Sequence, residues 1–462
     1  MPRLQIKPFK KLLFIGAVLV SSVSAINLPI PPRLKNNMSV MVVDSKTNKV
    51  VFSHKATIPR LIASNMKLIT AAVALETLHP DFRWHTKLFY RGSINNGTLN
   101  GDLYLLGGGD PTLDDRALDE ILSNLNKLGV KTIQGNLVID NSIFNSLPTY
   151  SMLKVENYDV DTVLPDGLIV DSNVSRFTIH VKDNKIIIDN NLYGYQINNN
   201  LSLNNRQSTC GDLSQQVSIK QNTITFSGKM SRYCNDQVLE FNMLDTQSYT
   251  EMALSRAVNN LSIKLKGNIV YQNAPEKAIL IYDYSSQTLE DAMIYMNHYS
   301  INLIAEAILL SLGAYTTDNN DTYKNGKQVY HSYMEKLHML NPQFRLENGA
   351  GLSRFEYVTA EAMVNLLKHE NMPELKDNFE KTLPRSGLEG SLKNNFTRFG
   401  HRVMFKTGTL NDTRAYSGYF YSKNGTKYII VAIANNINTN SAPQMELFNG
   451  WVNKLLSKLD KI

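Results

Sequence analysis

The chain has 462 residues, 43% of them hydrophobic and 19% charged, with a formal net charge of +7. That length exceeds one ordinary hydrophobic core and calls for two or three domains. The composition is that of a soluble globular protein, and beyond the N-terminus no segment reaches the roughly 20 apolar residues of a membrane span.

The first 25 residues read MPRLQIKPFKKLLFIGAVLVSSVSA. A basic head (Arg3, Lys7, Lys10, Lys11) precedes a short apolar run, Leu12–Val20, and small residues follow at Val23-Ser24-Ala25. This pattern predicts a secretory signal peptide cleaved after Ala25, and hence a periplasmic protein. The apolar run is shorter than a span, which weighs against an uncleaved anchor. Cleavage removes four basic charges and no acidic one, so +7 falls to +3 and nucleic-acid binding loses its main support. Export also places the only two cysteines, Cys210 and Cys234, in an oxidising compartment. One disulfide across the hairpin-like stretch between them is expected, stabilising by ~3 kcal/mol in the chain-entropy model.

Residues 38–53, MSVMVVDSKTNKVVFS, predict two strands around a polar turn. The apolar run LIASNMKLITAAVALETL, residues 61–78, predicts a buried helix carrying Lys67. From about 87 to 290, short β-rich runs recur with Asn/Gly turns, interrupted by a helix at Leu113–Lys127. Helical pattern returns over Leu289–Leu312, 325–340 and 359–369. Strands follow at RVMFKTGT, AYSGYFY and KYIIVAIAN, the last two joined by an Asn424-Gly425 turn. A helix, Ala442–Lys458, closes the chain; its apolar face predicts packing on the sheet, with peripheral membrane contact as the alternative.

Chemistry enters with Lys67. A buried ammonium costs several kcal/mol or gives up its proton. Ser64 stands three residues earlier, on the same helical face about one turn away. A neutral lysine there accepts a serine proton, and the helix N-terminus favours developing negative charge. The nine histidines form no triad pattern, and G-x-S-x-G, H-E-x-x-H and C-x-x-C are absent, so neither a histidine-dependent serine site nor a metal site is expected. Two further stretches matter: HYSINLIAE, with Ser300 and Asn302, and FKTGTL, with Lys406, Thr407, Gly408 and Thr409.

S-x-x-K, then S-x-N, then K-T-G, in this order and context, resembles the penicillin-recognising serine enzymes. Ser64 and Ser300 stand 236 residues apart, a far larger gap than in β-lactamases. The long β-rich insertion resembles the DacB-type, low-molecular-mass class C penicillin-binding proteins, which are D-alanyl-D-alanine carboxypeptidase/endopeptidases. GDLYLLGGGDPTL, GLIVDSN, ENGAGLSR and LPRSGLEGSL extend the resemblance over almost the whole mature chain. Two segments depart from it: Ile301 occupies the middle of S-x-N, and ENGAG replaces the usual DGSG.

The resemblance implies an α+β fold: a β-lactamase/transpeptidase-like catalytic domain (26–86 and 285–462), an inserted domain (87–165 and 246–284) and a nested small β domain (166–245). It implies Ser64 as nucleophile, Lys67 as its base and Ser300 as proton relay. Asn302 would bind the substrate amide and hold Lys67, while Lys406 and Thr407 would bind the terminal carboxylate. Gly408 leaves room for the substrate backbone, and Thr409 shares the oxyanion hole with Ser64. Asp159, in an acidic stretch with Glu156 and Asp161, is the candidate contact for a free amine on the stem peptide. Peptidoglycan stem peptides and β-lactam antibiotics are the expected partners, with no cofactor. The rival readings are a non-catalytic envelope protein on the same fold and, less favoured, a β-lactamase.

Overall fold

In the computed structural model, which describes residues 26–148, 159–205, 217–317, 321–340, 342–437 and 442–462, the two ends of the chain meet in one antiparallel sheet. Its order is Val403–Leu410, Thr413–Tyr421, Lys427–Asn435, Met38–Asp44, Val50–His54. The signal-like segment, Glu156 and Cys210 lie outside the described residues.

Both faces of this sheet are covered, which explains why Met38–Val43 is a nearly unbroken apolar run. Val40 and Val42 point to one face, where they join Phe405, Ile430 and the C-terminal helix residues Phe448, Trp451, Val452, Leu455 and Leu456. Met41 and Val43 point to the other, against Met66, Ile69, Val73 and neighbouring helices. The alternation follows the two-residue period of a strand. The apolar face of the helix Ala442–Leu459 is therefore core rather than free surface. Among the described residues, no helix is long and apolar enough to cross a membrane.

The helix Met66–Thr77 is buried on every side from Met66 to Leu75, Lys67 and Thr70 included. It sits inside a shell formed by Leu289–Tyr299, Asn302–Thr316, Thr322–Lys336 and Ala360–His369. A helix enclosed in this way has little amphipathic pattern, because every face meets apolar side chains.

One element differs from the sequence expectation in a way that matters. Leu289–Leu312 is not one helix. A Thr288–Asp291 capping box starts the first helix, which ends at Ser300 in a left-handed conformation (φ 65°). Ile301 is extended, and a second helix begins at Asn302. Continuous apolar pattern hides the break, because both helices bury their sides in the same core.

The inserted region holds a seven-stranded sheet built from segments between His85 and Ser285, and two three-stranded sheets between Ser175 and Phe241. Its helix starts at Asp115, two residues later than expected, because the Asp114 side chain caps it by accepting from Ala117 N at 2.8 Å. Leu88, Leu103 and Leu137 of the large sheet share one core with Phe177, Phe226 and Phe241 of the small ones. Arg256 ties the helices Asp115–Lys127 and Thr246–Asn260 through Asp115 and Asp119.

Candidate active site

The strand Arg60–Leu61 runs into a short 3₁₀ turn, Ala63–Asn65, and then into the buried helix. Ser64 stands in that turn, half-buried, with Lys67 completely buried in the first turn of the helix. Lys67 Nζ lies 3.1 Å from Ser64 Oγ, 2.6 Å from Asn302 Oδ1 and 2.6 Å from the carbonyl oxygen of Ala350. The last two atoms only accept hydrogen bonds. A neutral amine has two hydrogens and one lone pair. Donating to Asn302 and Ala350 uses both hydrogens and leaves the lone pair for the Ser64 hydroxyl. This geometry suits a neutral Lys67 to accept the Ser64 proton.

Burial pushes the Lys67 pKa down to about 8, while the carboxylates of Glu306, Asp161 and Glu356 hold it up. The sequence around Lys67 shows no carboxylate; the fold brings these three from distant segments. Glu306 lies one helical turn beyond Asn302, and Glu356 lies beneath the loop that presents Ala350.

A second lysine closes the other side. Lys406 is fully buried, and its Nζ donates to Ser300 Oγ at 2.9 Å and to Thr407 O at 3.0 Å. Burial pushes its pKa well below the usual lysine value, and the positive charges of Lys67 and Arg414 act in the same direction. The helix break presents Ser300 to Lys406 and Asn302 to Lys67 within three residues. Ile301, between them, packs partly buried against the core.

Gly408 has a steric reason. A Cβ there would stand 2.5 Å from the carbonyl oxygen of Ile62 and 3.1 Å from Ala63 Cβ. Only glycine lets the strand Val403–Leu410 pass this close to the Ser64 turn. Thr407 Oγ1 lies 2.9 Å from Ser391 Oγ, and the Thr409 hydroxyl bonds to the guanidinium of Arg414.

The structure therefore unites Ser64, Lys67 and Asn302 in one hydrogen-bonded set, and Ser300 with Lys406 in another. Asp159 joins neither. It is exposed and caps a short 3₁₀ turn, accepting from Asp161 N at 2.9 Å. Asp161 comes closer: its carbonyl accepts from Asn302 Nδ2 at 3.2 Å, and its carboxylate feels the charge of Lys67. Sequence reasoning missed Glu306, Ala350 and Glu356. Glu306 sits in an apolar run, Ala350 in the ENGAG segment and Glu356 five residues past that segment, and none of them carries a motif of its own.

Among the described residues, one group has spacing that could hold a metal: Glu76, His369 and Glu370. It lies at the opposite end of the nucleophile helix from Ser64, and Lys336 and His369 already contact Glu76 at 2.6 and 2.5 Å.

An antiparallel sheet made from both chain ends, with a serine and a buried lysine at the start of its central helix, defines a penicillin-recognising serine enzyme. The chain belongs to the D-Ala-D-Ala carboxypeptidase 3 (S13) family, whose profile matches residues 20–452. It is 25% identical over 430 residues to D-alanyl-D-alanine carboxypeptidase DacB of Haemophilus influenzae, covering 87% of this chain and 86% of that one. It is 26% identical over 433 residues to a D-alanyl-D-alanine carboxypeptidase of an Actinomadura species, covering 89% and 80%. In fold it is similar to penicillin-binding protein 4 (dacB) of Haemophilus influenzae, with TM-score 0.77 and 22% identity over 92% of this chain and 96% of that one. A predatory endopeptidase of Bdellovibrio bacteriovorus shares the fold more distantly, at TM-score 0.54 and 16% identity, covering 92% of each chain.

Proposed function

We propose that this carboxypeptidase acts on peptidoglycan stem peptides through an acyl-Ser64 intermediate, with a D-alanyl endopeptidase activity at the same site. The arrangement of Lys67 carries the reading: two pure acceptors, Asn302 Oδ1 and Ala350 O, hold its amine 3.1 Å from Ser64 Oγ, so that in the neutral form its lone pair is free for the serine proton.

Ser64 Oγ attacks the carbonyl of the penultimate D-alanine while Lys67 takes the hydroxyl proton. Backbone N–H groups of Ser64 and Thr409 stabilise the oxyanion, a contribution commonly worth ~3–4 kcal/mol per donor. The C–N bond breaks as Ser300, with Lys406 against it, relays the proton taken by Lys67 to the leaving amine. Lys406 and Thr407 bind the terminal carboxylate, where a fixed cation is useful. Water then attacks the ester: its hydroxyl goes to the acyl carbon, and its other proton goes to Ser64 Oγ as the C–O bond breaks. A β-lactam follows the first half of this route and stays bound, because its leaving group remains tethered.

Asp159 or its neighbour Asp161 faces the distal amine of the stem peptide; the contact of Asp161 with Asn302 favours Asp161. The division into a catalytic domain, an inserted domain and a nested β domain is supported by separate sheets, although the last two share a core. Export through the N-terminal segment and a Cys210–Cys234 disulfide complete the reading; no described cysteine is a free thiol.

A fluorescent penicillin should label the wild type covalently and leave Ser64→Ala unlabelled on a denaturing gel. Release of D-alanine from a D-Ala-D-Ala pentapeptide should require Ser64 as well. Label without D-alanine release would favour the non-catalytic reading, and rapid loss of label with opened β-lactam would favour a β-lactamase.

A further inference from the structure

The loop Glu347–Gly351 presents the Ala350 carbonyl to Lys67, and it has an unusual support. Glu356 is 1% exposed. Its Oε1 accepts from the main-chain N–H groups of Glu347, Asn348 and Gly349 at 2.9, 2.7 and 2.8 Å, and its Oε2 from Gly351 N at 2.9 Å. All four donors belong to this one loop. Burial pushes the Glu356 pKa up, and the ring of backbone N–H groups pulls against that rise while fixing the chain around the carboxylate.

The same loop is fastened to the catalytic groups on every side. Ala350 O accepts from Lys67, and Gly349 O accepts from Thr70 Oγ1 at 2.6 Å, one helical turn further on. Asn348 Nδ2 donates to Glu306 Oε1 at 3.1 Å, on the helix that begins with Asn302. Gly351 has φ +89°, and a Cβ there would stand 1.9 Å from the carbonyl of Ala63, beside Ser64. Tyr357, next to Glu356, pairs with Leu61 in the strand that leads into the Ser64 turn. Glu356 is thus anchored to the segment that carries the nucleophile.

Resting on the acyl-serine reading above, we infer that Glu356 is a positioning residue for Lys67: by folding the loop 347–351 it fixes the Ala350 carbonyl that turns the Lys67 lone pair toward Ser64. A loop with two left-handed glycines has no strand ladder to hold it, so removing the carboxylate loosens the carbonyl while the Thr70 and Glu306 contacts remain. Lys67 then keeps Asn302 as its one fixed acceptor and rotates away from the serine. The charge of Glu356 also raises the Lys67 pKa, which gives the role a signature distinct from packing.

The test is the pH dependence of acylation by a fluorescent penicillin in wild type, Glu356→Gln and Glu356→Asp. Glutamine removes the charge and places an amide donor against at least one backbone donor. The plateau rate at high pH should fall at least about tenfold, since an ångström of misplacement can cost a hundredfold. The midpoint should move acidic of its wild-type position near 8. Aspartate keeps the charge, so its midpoint should return to the wild-type value with only part of the rate regained. A folded Glu356→Gln with wild-type plateau and midpoint overturns the inference; so does a rate loss with the midpoint unmoved, which is what packing alone predicts. Should Glu356→Gln not fold, Asn348→Ala carries the test by loosening the loop from the Glu306 side, and a wild-type plateau there overturns it equally. An unlabelled wild type would instead defeat the functional reading itself.

Discussion

Lys67 Nζ and Asn302 Oδ1 lie 2.6 Å apart although 235 residues separate them in the chain. This contact joins the helix Met66–Thr77 to the helix break and fixes one of the amine hydrogens. Asn302→Ala should leave a buried amine with one acceptor fewer. Hydrogen bonds to charged groups are worth about 1.5–3 kcal/mol, so acylation should slow by roughly 10- to 100-fold. Stopped-flow acylation with a chromogenic β-lactam measures it. Asn302→Asp should place a carboxylate against the amine, raise the Lys67 pKa and move the acylation profile to higher pH.

The wild-type profile itself follows from Lys67. Its pKa is brought to about 8 by burial, against the pull of Glu306, Asp161 and Glu356. Only the neutral amine accepts the serine proton. The second-order acylation rate should therefore rise about tenfold per pH unit below 8 and level off above it. A rate that is flat from pH 6 to 9 would show that some other group takes the proton. Lys67→Arg, which stays charged throughout, should not be acylated at any pH in this range.

Ser300 tests the geometry of the break. Its φ of 65° is unfavourable for a residue with a Cβ. Ser300→Gly and Ser300→Ala both lose the hydroxyl that Lys406 holds, and both should acylate poorly. They should differ in stability: glycine escapes the left-handed strain, so it should be more stable than alanine by about 1 kcal/mol. Thermal unfolding of the pair reads the difference. Equal stabilities would mean that the break carries no strain.

The two lysine-bearing motifs and the hairpin of the C-terminal strands were legible because each has a local rule: S-x-x-K places Lys67 about one turn after Ser64 where a helix begins, and Asn424-Gly425 makes a turn. The C-terminal helix was legible as a packed helix because its apolar residues share one face. The break at Ser300 was not, since both flanking helices are buried and their apolar pattern runs through it. Glu306 and Glu356 were invisible for a different reason. A carboxylate in an apolar run reads as a solvated residue until the fold supplies backbone donors and a lysine to face it. Asp159 was preferred over Asp161 on sequence alone, and a two-residue difference in a short turn is set by backbone geometry, which periodicity does not describe.

The far end of the nucleophile helix carries its own titration. Glu370 is fully buried, and burial pushes its pKa up to about 7; Tyr333 and His369 pull it down, while Glu76 adds to the rise. Its Oε1 accepts from Tyr333 Oη at 2.6 Å, and its Oε2 has no hydrogen-bond partner. A carboxyl whose pKa is raised on folding binds its proton more tightly in the native state. Between its ordinary value of 4.5 and about 7, the unfolded chain releases that proton while the native protein keeps it, so stability falls as pH rises through this window. Each pKa unit corresponds to about 1.4 kcal/mol, which puts the full effect on the order of 3 kcal/mol. Glu76 works in the opposite sense: its pKa is lowered to about 2 despite burial, by His369 and Lys336, so its contribution is present above 4.5 and lost as pH falls toward 2. Glu370→Gln keeps an acceptor for Tyr333 and removes the ionisation. The melting temperature of the variant should therefore gain on that of the wild type steadily from pH 5 to 7.5 and stay level beyond. A difference that does not change with pH over this range would show that Glu370 ionises in the native protein as it does in the unfolded chain.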